Sequence, residues 1–261
     1  MTTLLISGLA LVAGGLWGSF LGVLAIRVPQ GLSILTPNSR CDHCLAPLSP
    51  SELVPIYSWL TSKGRCQRCH HPILPEIPVS EFATALFALI VVILPEPLSL
   101  KSALLLFFSF ALPLTLIDIR HHRLPHFLTL SAILAGLAFS FFGRGYDGIL
   151  LSAEGALIGF IPVALVALFY SRGIGMGDAF WLAAIGAFTG PLNLSIVLLV
   201  ASSTGILAAL VLHYASPRDK RGSLFGKALP FGPFLSLGGF LALAFPGITQ
   251  ALNNHILEIP L

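Results

Sequence analysis

Residues 102–126 read SALLLFFSFALPLTLIDIRHHRLPH. Sixteen uncharged residues, Ser102 to Ile117, run into Asp118, and Arg120 and Arg123 follow at once. A membrane-spanning helix needs roughly 20 predominantly apolar residues, with a range of about 17–25. Lys and Arg collect on the cytoplasmic side of such helices. The stretch therefore reads as a span that reaches the cytosolic face at Asp118. Seven more segments of the same character lie around it, near Leu4–Ile26, Val79–Leu94, Pro125–Phe142, Ile149–Tyr170, Ile174–Gly190, Leu194–Tyr214 and Leu229–Leu252. The one at Ile174–Gly190 is short, and it counts as a span only if it begins before Asp178.

The composition agrees. Only 10% of the 261 residues are charged and 56% are hydrophobic, against about 25% charged in a soluble domain. Too few charges are present to cover a soluble surface. This excludes a soluble enzyme, a disordered chain and most nucleic-acid binders, and no nucleic-acid partner is expected. The expected class is all-α, a polytopic integral membrane protein of about eight helices in the lipid bilayer. The loops after the first, third, fifth and seventh segments hold twelve of the 14 Lys and Arg residues, and only Lys101 and Arg144 fall on the other side. Both termini are thus expected outside. The first segment lacks a basic flank before its apolar run, so it reads as an anchor rather than a secretory signal. Gly14, Gly18 and Gly22 lie on one of its faces, a spacing that admits a close neighbouring helix and that also arises simply because glycine is common in membrane helices.

One long polar segment interrupts the pattern, from Arg27 to Pro78. The expected organisation is a first helix over 1–26, a cytosolic insert over 27–78 and a seven-helix membrane core over 79–261. The insert holds all four cysteines as two C-x2-C pairs, Cys41 with Cys44 and Cys66 with Cys69, separated by 21 residues. Two such pairs supply four thiolates to a tetrahedral zinc, a closed and therefore structural site. The gap slightly exceeds the usual range of about 15–20 residues. Lys63, Arg65 and Arg68 flank the second pair and favour thiolates. His43, His70 and His71 are substitute ligands on paper, but four cysteines already fill the shell.

Carboxylates near a bilayer are costly, about 2.5–3.5 kcal/mol at a helix centre, so their positions are informative. Asp118 closes one span, and Asp178 opens another in Gly175-Met176-Gly177-Asp178. Both are expected at the cytosolic face at similar depth. If they face each other they share a proton, which is what an aspartyl protease requires. Alternatively both are helix-end residues, Asp178 at a helix N-terminus and Asp118 offset by Arg120 and Arg123. Glu81, just inside the second span, pairs with a basic loop residue or faces the same cavity. Glu154 is near the outer end of its span and is not expected to take part.

These residues together resemble the type IV prepilin peptidases, the leader peptidase/N-methyltransferases. Gly18-Ser19-Phe20-Leu21 with Arg27-Val28-Pro29 resembles the family's opening motif. The four cysteines match its insert, and Pro55–Leu60 with Gly64-Arg65-Cys66 is similar to the run before the second pair. Gly175-Met176-Gly177-Asp178 resembles the GxGD signature, and Leu229–Phe234 (LPFGPF) the motif of the last helix. The resemblance implies a bacterial inner-membrane aspartic endopeptidase. It would cut the basic leader from prepilins or pseudopilins at the cytosolic face, with Asp118 and Asp178 as the catalytic pair. It also implies Cys41, Cys44, Cys66 and Cys69 as zinc ligands, and N-methylation of the new terminus from S-adenosylmethionine. The chain departs from the family pattern at Gly22, where Asn is usual, at His126, where Asp or Asn is usual, and at Phe180, where Lys is usual. A competing expectation is a proton- or cation-coupled transporter using interfacial carboxylates, which would place its acids near the bilayer midplane.

Overall fold

The computed structural model describes residues 2–169, 175–215 and 229–246. Among these residues there are helices and no strands, only two isolated bridges, Arg40 with Pro47 and Arg65 with Pro72. The helices are α1 Thr2–Arg27, α2 Tyr57–Thr61, α3 Glu76–Ile93, α4 Leu98–His121, α5 His126–Phe169, α6 Met176–Thr189, α7 Leu194–Ala215 and α8 Gly232–Ala244. The chain forms two compact units, residues 1–97 and 98–261.

Among the described residues five helices, α1, α3, α4, α5 and α7, are long and apolar enough to cross a membrane. α5 runs for 44 residues but is broken at Gly145, whose φ of 66° and ψ of −143° lie outside helical space. From His126 to Phe169 it therefore takes in most of the segments expected at 125–142 and 149–170. α4 continues past the expected end, so Asp118 is inside the helix rather than beyond it. α6 and α8 are shorter apolar helices of 14 and 13 residues. Ile174, the residues beyond Pro246, and the basic residues Arg172, Arg218, Lys220, Arg221 and Lys227 lie outside the described residues.

In the first unit α1 packs on α3. Lipid tails are as apolar as leucine, so burial alone gives helices no reason to associate in a bilayer. Close packing of small residues supplies one. Gly14, Gly18 and Gly22 are where it happens: a Cβ on Gly14 would stand 2.8 Å from the Thr84 carbonyl, and one on Gly18 would collide with the Ser80 carbonyl. The glycine face expected from sequence is thus a helix-packing face. In the second unit α6 is the central element. Trp181, Ala184 and Ile185 are fully buried in it. α5 touches it through Gly136, Gly155 and Gly159, and Gly155 and Gly186 meet backbone to backbone. α8 closes on α7 through Gly238 at Val197, and on α4 and α6 through Gly239 at Phe107 and Ile185.

A β-branched side chain at Gly18 would force α1 off α3. Gly18→Val is expected to destabilise the folded protein by about 3 kcal/mol or more, at or above the usual overpacking range. Gly8→Val, where an added Cβ meets nothing within 4 Å, is expected to leave it unchanged. Thermal unfolding in detergent, compared for the two variants, checks both.

Candidate active site and metal centre

Asp118 lies near the C-terminal end of α4 and is 5% exposed. Its Oδ2 accepts the N–H of Gly232 at 2.8 Å. Gly232 is the first residue of α8, where helical N–H groups have no carbonyl partner in their own helix. A Cβ on Gly232 would stand 2.8 Å from that same oxygen and 3.2 Å from the carboxyl carbon, so glycine is what lets the two backbones meet. Asp178 is the third residue of α6 and half-buried. Its Oδ2 accepts the N–H of Gly175 at 3.1 Å, and its own N–H returns to the Gly175 carbonyl at 3.0 Å. The start of α6 presses on the turn after α4, where a Cβ on Gly177 would stand 2.9 Å from Leu124 Cβ. This contact brings Asp178 into the electrostatic field of Asp118. His122, in left-handed geometry just past α4, donates its backbone N–H to the Asp118 carbonyl at 2.8 Å.

Asp178 caps the first turn of α6 and lies close enough to Asp118 to feel its charge. A buried hydroxyl supports the arrangement from below. Ser236 Oγ donates to the Gly232 carbonyl at 2.8 Å and accepts from Trp181 Nε1 at 3.1 Å and Thr115 Oγ1 at 3.2 Å. One serine thus ties α4, α6 and α8 together a turn away from both acids. Sequence reasoning gave no reason to single it out.

In the insert, the sulfur atoms of Cys41, Cys44, Cys66 and Cys69 all lie within 4.8 Å of one another. Cys41 and Cys69 are 3.7 Å apart, Cys44 and Cys66 4.0 Å. The two halves are built alike. Residues 39–50 (SRCDHCLAPLSP) and 64–75 (GRCQRCHHPILP) share arginine, both cysteines and two prolines at matched positions. Their hydrogen bonds match too: Cys41 N to Ala46 O and Cys66 N to His71 O, Leu48 N to Ser39 O and Ile73 N to Gly64 O. Leu45 and His70, at φ 57° in both, turn each knuckle back on itself. The repeat occurs once, at an offset of 25 residues. His43 and His71 stack face to face at 4.4 Å between the knuckles.

The backbone N–H groups of Cys69 and Arg68 point at the Cys66 sulfur and bring its thiol down to about 7. The His71 N–H favours the Cys69 thiolate, but burial and the crowded thiols of Cys44, Cys66 and Cys41 outweigh it, raising that thiol to about 11. A bound dication reverses that second tendency, because it rewards four thiolates at this spacing. The donor set fits a thiophilic metal ion.

Residues 12–94 match the Bacterial Peptidase A24 N-terminal domain, and residues 105–210 match the Type IV leader peptidase family. The chain is 32% identical over 261 residues to a type 4 prepilin-like proteins leader peptide-processing enzyme of Escherichia coli, covering 90% of this chain and 92% of that protein. It is 34% identical over 216 residues to the prepilin leader peptidase/N-methyltransferase of Aeromonas hydrophila, covering 81% and 72%. A third relative, with the same name, is from Pectobacterium carotovorum at 32% identity over 263 residues, covering 90% and 92%. No solved structure matches. The chain belongs to the type IV leader peptidase family. This family membership leaves the transporter reading without support.

Two of the departures from the family pattern touch each other. His126, at the start of α5, meets Phe180 edge-on at 4.9 Å, and Phe180 also lies 4.8 Å from Phe160. Where polar groups are usual in the family, this leader peptidase has a small aromatic cluster two residues beyond Asp178. Glu81 Oε2 accepts the backbone N–H of Ile56 at 2.7 Å. Glu154 is exposed.

Ser236→Ala removes the acceptor of a buried Trp181 N–H. A buried donor left without a partner costs about 1–3 kcal/mol, and the variant is expected to lose stability of that order. Thermal unfolding of the purified variant measures it.

Proposed function

We propose that this enzyme hydrolyses the leader of type IV prepilins or pseudopilins, with Asp118 and Asp178 as its catalytic carboxyl pair. The observation that supports the assignment is the convergence of α4, α6 and α8 on these two acids, with Gly232 and Gly175 as backbone donors to them. In an aspartyl mechanism one carboxylate removes a proton from water as the oxygen attacks the scissile carbonyl carbon. The other, protonated, gives its proton to the carbonyl oxygen. The tetrahedral diol then collapses, the C–N bond breaks, and the nitrogen leaves with a proton from the pair. Gly175, exposed and without a side chain beside Asp178, leaves room for an extended substrate strand.

On this reading the multi-pass chain sits in the bacterial inner membrane with its insert and both aspartates at the cytosolic face and its termini outside. The basic leader of a prepilin enters from the same side by the same charge rule. The cut exposes a new amine, and the N-methyltransferase activity named in the relatives extends to this chain as methylation of that amine. S-adenosylmethionine would supply the methyl group, and no residue of this chain is assigned to it. Zinc is the metal proposed for Cys41, Cys44, Cys66 and Cys69. When bound it closes the two knuckles on each other and leaves no position for water, so its part is structural.

Incubation with a prepilin and mass analysis of the product's N-terminus reads cleavage and methylation together. Asp118→Ala and Asp178→Ala are each expected to lower cleavage on the order of a thousandfold or more, with the double variant little worse, because the pair acts as a unit. Substantial cleavage by either single variant would remove that residue from the pair.

Elemental analysis of the purified enzyme is expected to give about one zinc per chain. Cys66→Ser should lower that content and the stability of the insert. Absence of zinc together with four freely titrating thiols in the native protein would refute the metal assignment.

A further inference from the structure

The antiparallel pair of α1 and α3 provides a depth scale. The uncharged run of α1 from Leu4 to Ile26 ends at Arg27, whose guanidinium donates to the carbonyls of Ser33 and Pro37 and so marks the polar end. Gly15 lies twelve residues earlier, about 18 Å back along the axis at about 1.5 Å per residue. The hydrocarbon layer is about 30 Å thick. Pro55 of the insert packs against Gly15, where an added Cβ would stand 3.3 Å from Pro55 Cβ. The next residue, Ile56, donates its N–H to Glu81, a side chain 4% exposed and inside α3 rather than at its end. This corner of the insert therefore stands well below the polar end of α1, at the depth of its apolar run.

The corner's sequence suits that depth. Between Glu52 and Lys63 the chain reads LVPIYSWLTS, without a charge. Leu53, Val54, Tyr57 and Leu60 are 46%, 45%, 58% and 61% exposed. Backbone groups in hydrocarbon need partners within the protein, and the corner supplies them locally. Ser58 N–H reaches Val54 O, Leu60 N–H reaches Ile56 O and Ser62 N–H reaches Ser58 O. Thr61 and Ser62 fold their hydroxyls onto the carbonyls of Tyr57, Ser58 and Trp59. Ile56 N–H, at the open start of α2, goes to Glu81. Ile56 also has φ 63° and ψ −50°, which a β-branched residue adopts only under constraint. The Glu81 carboxyl is that constraint.

We propose that residues 53–62 are a re-entrant element that dips into the bilayer beside α1 and α3. Leu53, Val54, Tyr57 and Leu60 face lipid hydrocarbon, and Glu81 anchors the corner. Trp59, whose indole lies against Gly64 at the start of the second knuckle, sits at headgroup level, where tryptophan is favoured. The metal knuckles are then held at the membrane surface instead of hanging free in water. Glu81 is a positioning residue, acting through the backbone of Ile56.

Tryptophan fluorescence of the full-length protein in lipid bilayers tests this. The chain has three tryptophans, and the difference in emission between the parent and Trp59→Phe isolates Trp59. Lipids brominated on the upper acyl chain are expected to quench roughly half or more of that component, as for an interfacial tryptophan, and aqueous iodide is expected to leave it nearly untouched. Glu81→Leu, which removes the acceptor, is expected to reverse the two sensitivities, and Glu81→Gln, which keeps an acceptor, to preserve them. Iodide quenching without bromolipid quenching in the parent would overturn the re-entrant placement. If Trp59 in a folded, metal-loaded Glu81→Leu protein stayed lipid-quenched, the anchoring role would be overturned.

Discussion

A carboxyl group buried in a membrane helix needs a hydrogen-bond donor that lipid cannot provide. Three acids here solve the problem in one way. Asp118 takes the N–H of Gly232, Asp178 that of Gly175, and Glu81 that of Ile56. Gly232 is the first residue of α8, and Gly175 and Ile56 stand immediately before α6 and α2. The start of a helix has N–H groups with no carbonyl behind them, and the same end is slightly positive. Each acid and each helix start therefore satisfies the other's unmet need. All three acids thus stand at the start of a helix.

That arrangement demands close approach, and the glycines provide it. A side chain at Gly232 would occupy the space of the Asp118 carboxyl, and one at Gly177 would push α6 off Leu124. The contact between Gly155 and Gly186 fixes α6 along α5, and Gly239 lets α8 reach Phe107 and Ile185. α6 is consequently enclosed by its neighbours, which explains why a helix of only 14 residues serves as the centre of its unit. Its residues from Ala179 to Ala187 are nearly all buried, so its N-terminus, and Asp178 with it, is held by packing rather than by lipid contact.

The helices were largely legible in the sequence because apolar runs bounded by charges have no other reading at this composition. The acids were legible as candidates for the same reason, since a carboxylate inside such a run is conspicuous. What the sequence did not carry was every contact made through backbone. Nothing in Gly232, Ile56 or Gly175 says that its N–H meets an acid 114, 25 or three residues away. Ser236 was silent because a serine in a membrane helix usually bonds its own preceding turn, as it also does here. The break in α5 at Gly145 falls between two runs that the sequence reading kept apart. The repeat of the two knuckles was visible letter by letter, but a single recurrence at an offset of 25 residues does not register as a period.

The same logic sets where the proposed chemistry can occur. An intact substrate helix hides its carbonyls in hydrogen bonds, so the bond to be cut must lie where helical geometry has ended. Asp118 is in the last turn of α4 and Asp178 in the first turn of α6, so both acids stand where the enzyme's own helices end. There Gly175 presents exposed backbone with no side chain over it. A strand of substrate entering at that level meets the acids and a partly open backbone together. Moved one or two turns along either helix, the same carboxyls would face side chains packed at 0–2% exposure, such as Leu114 on α4 and Trp181 and Leu182 on α6, and no extended chain would reach them.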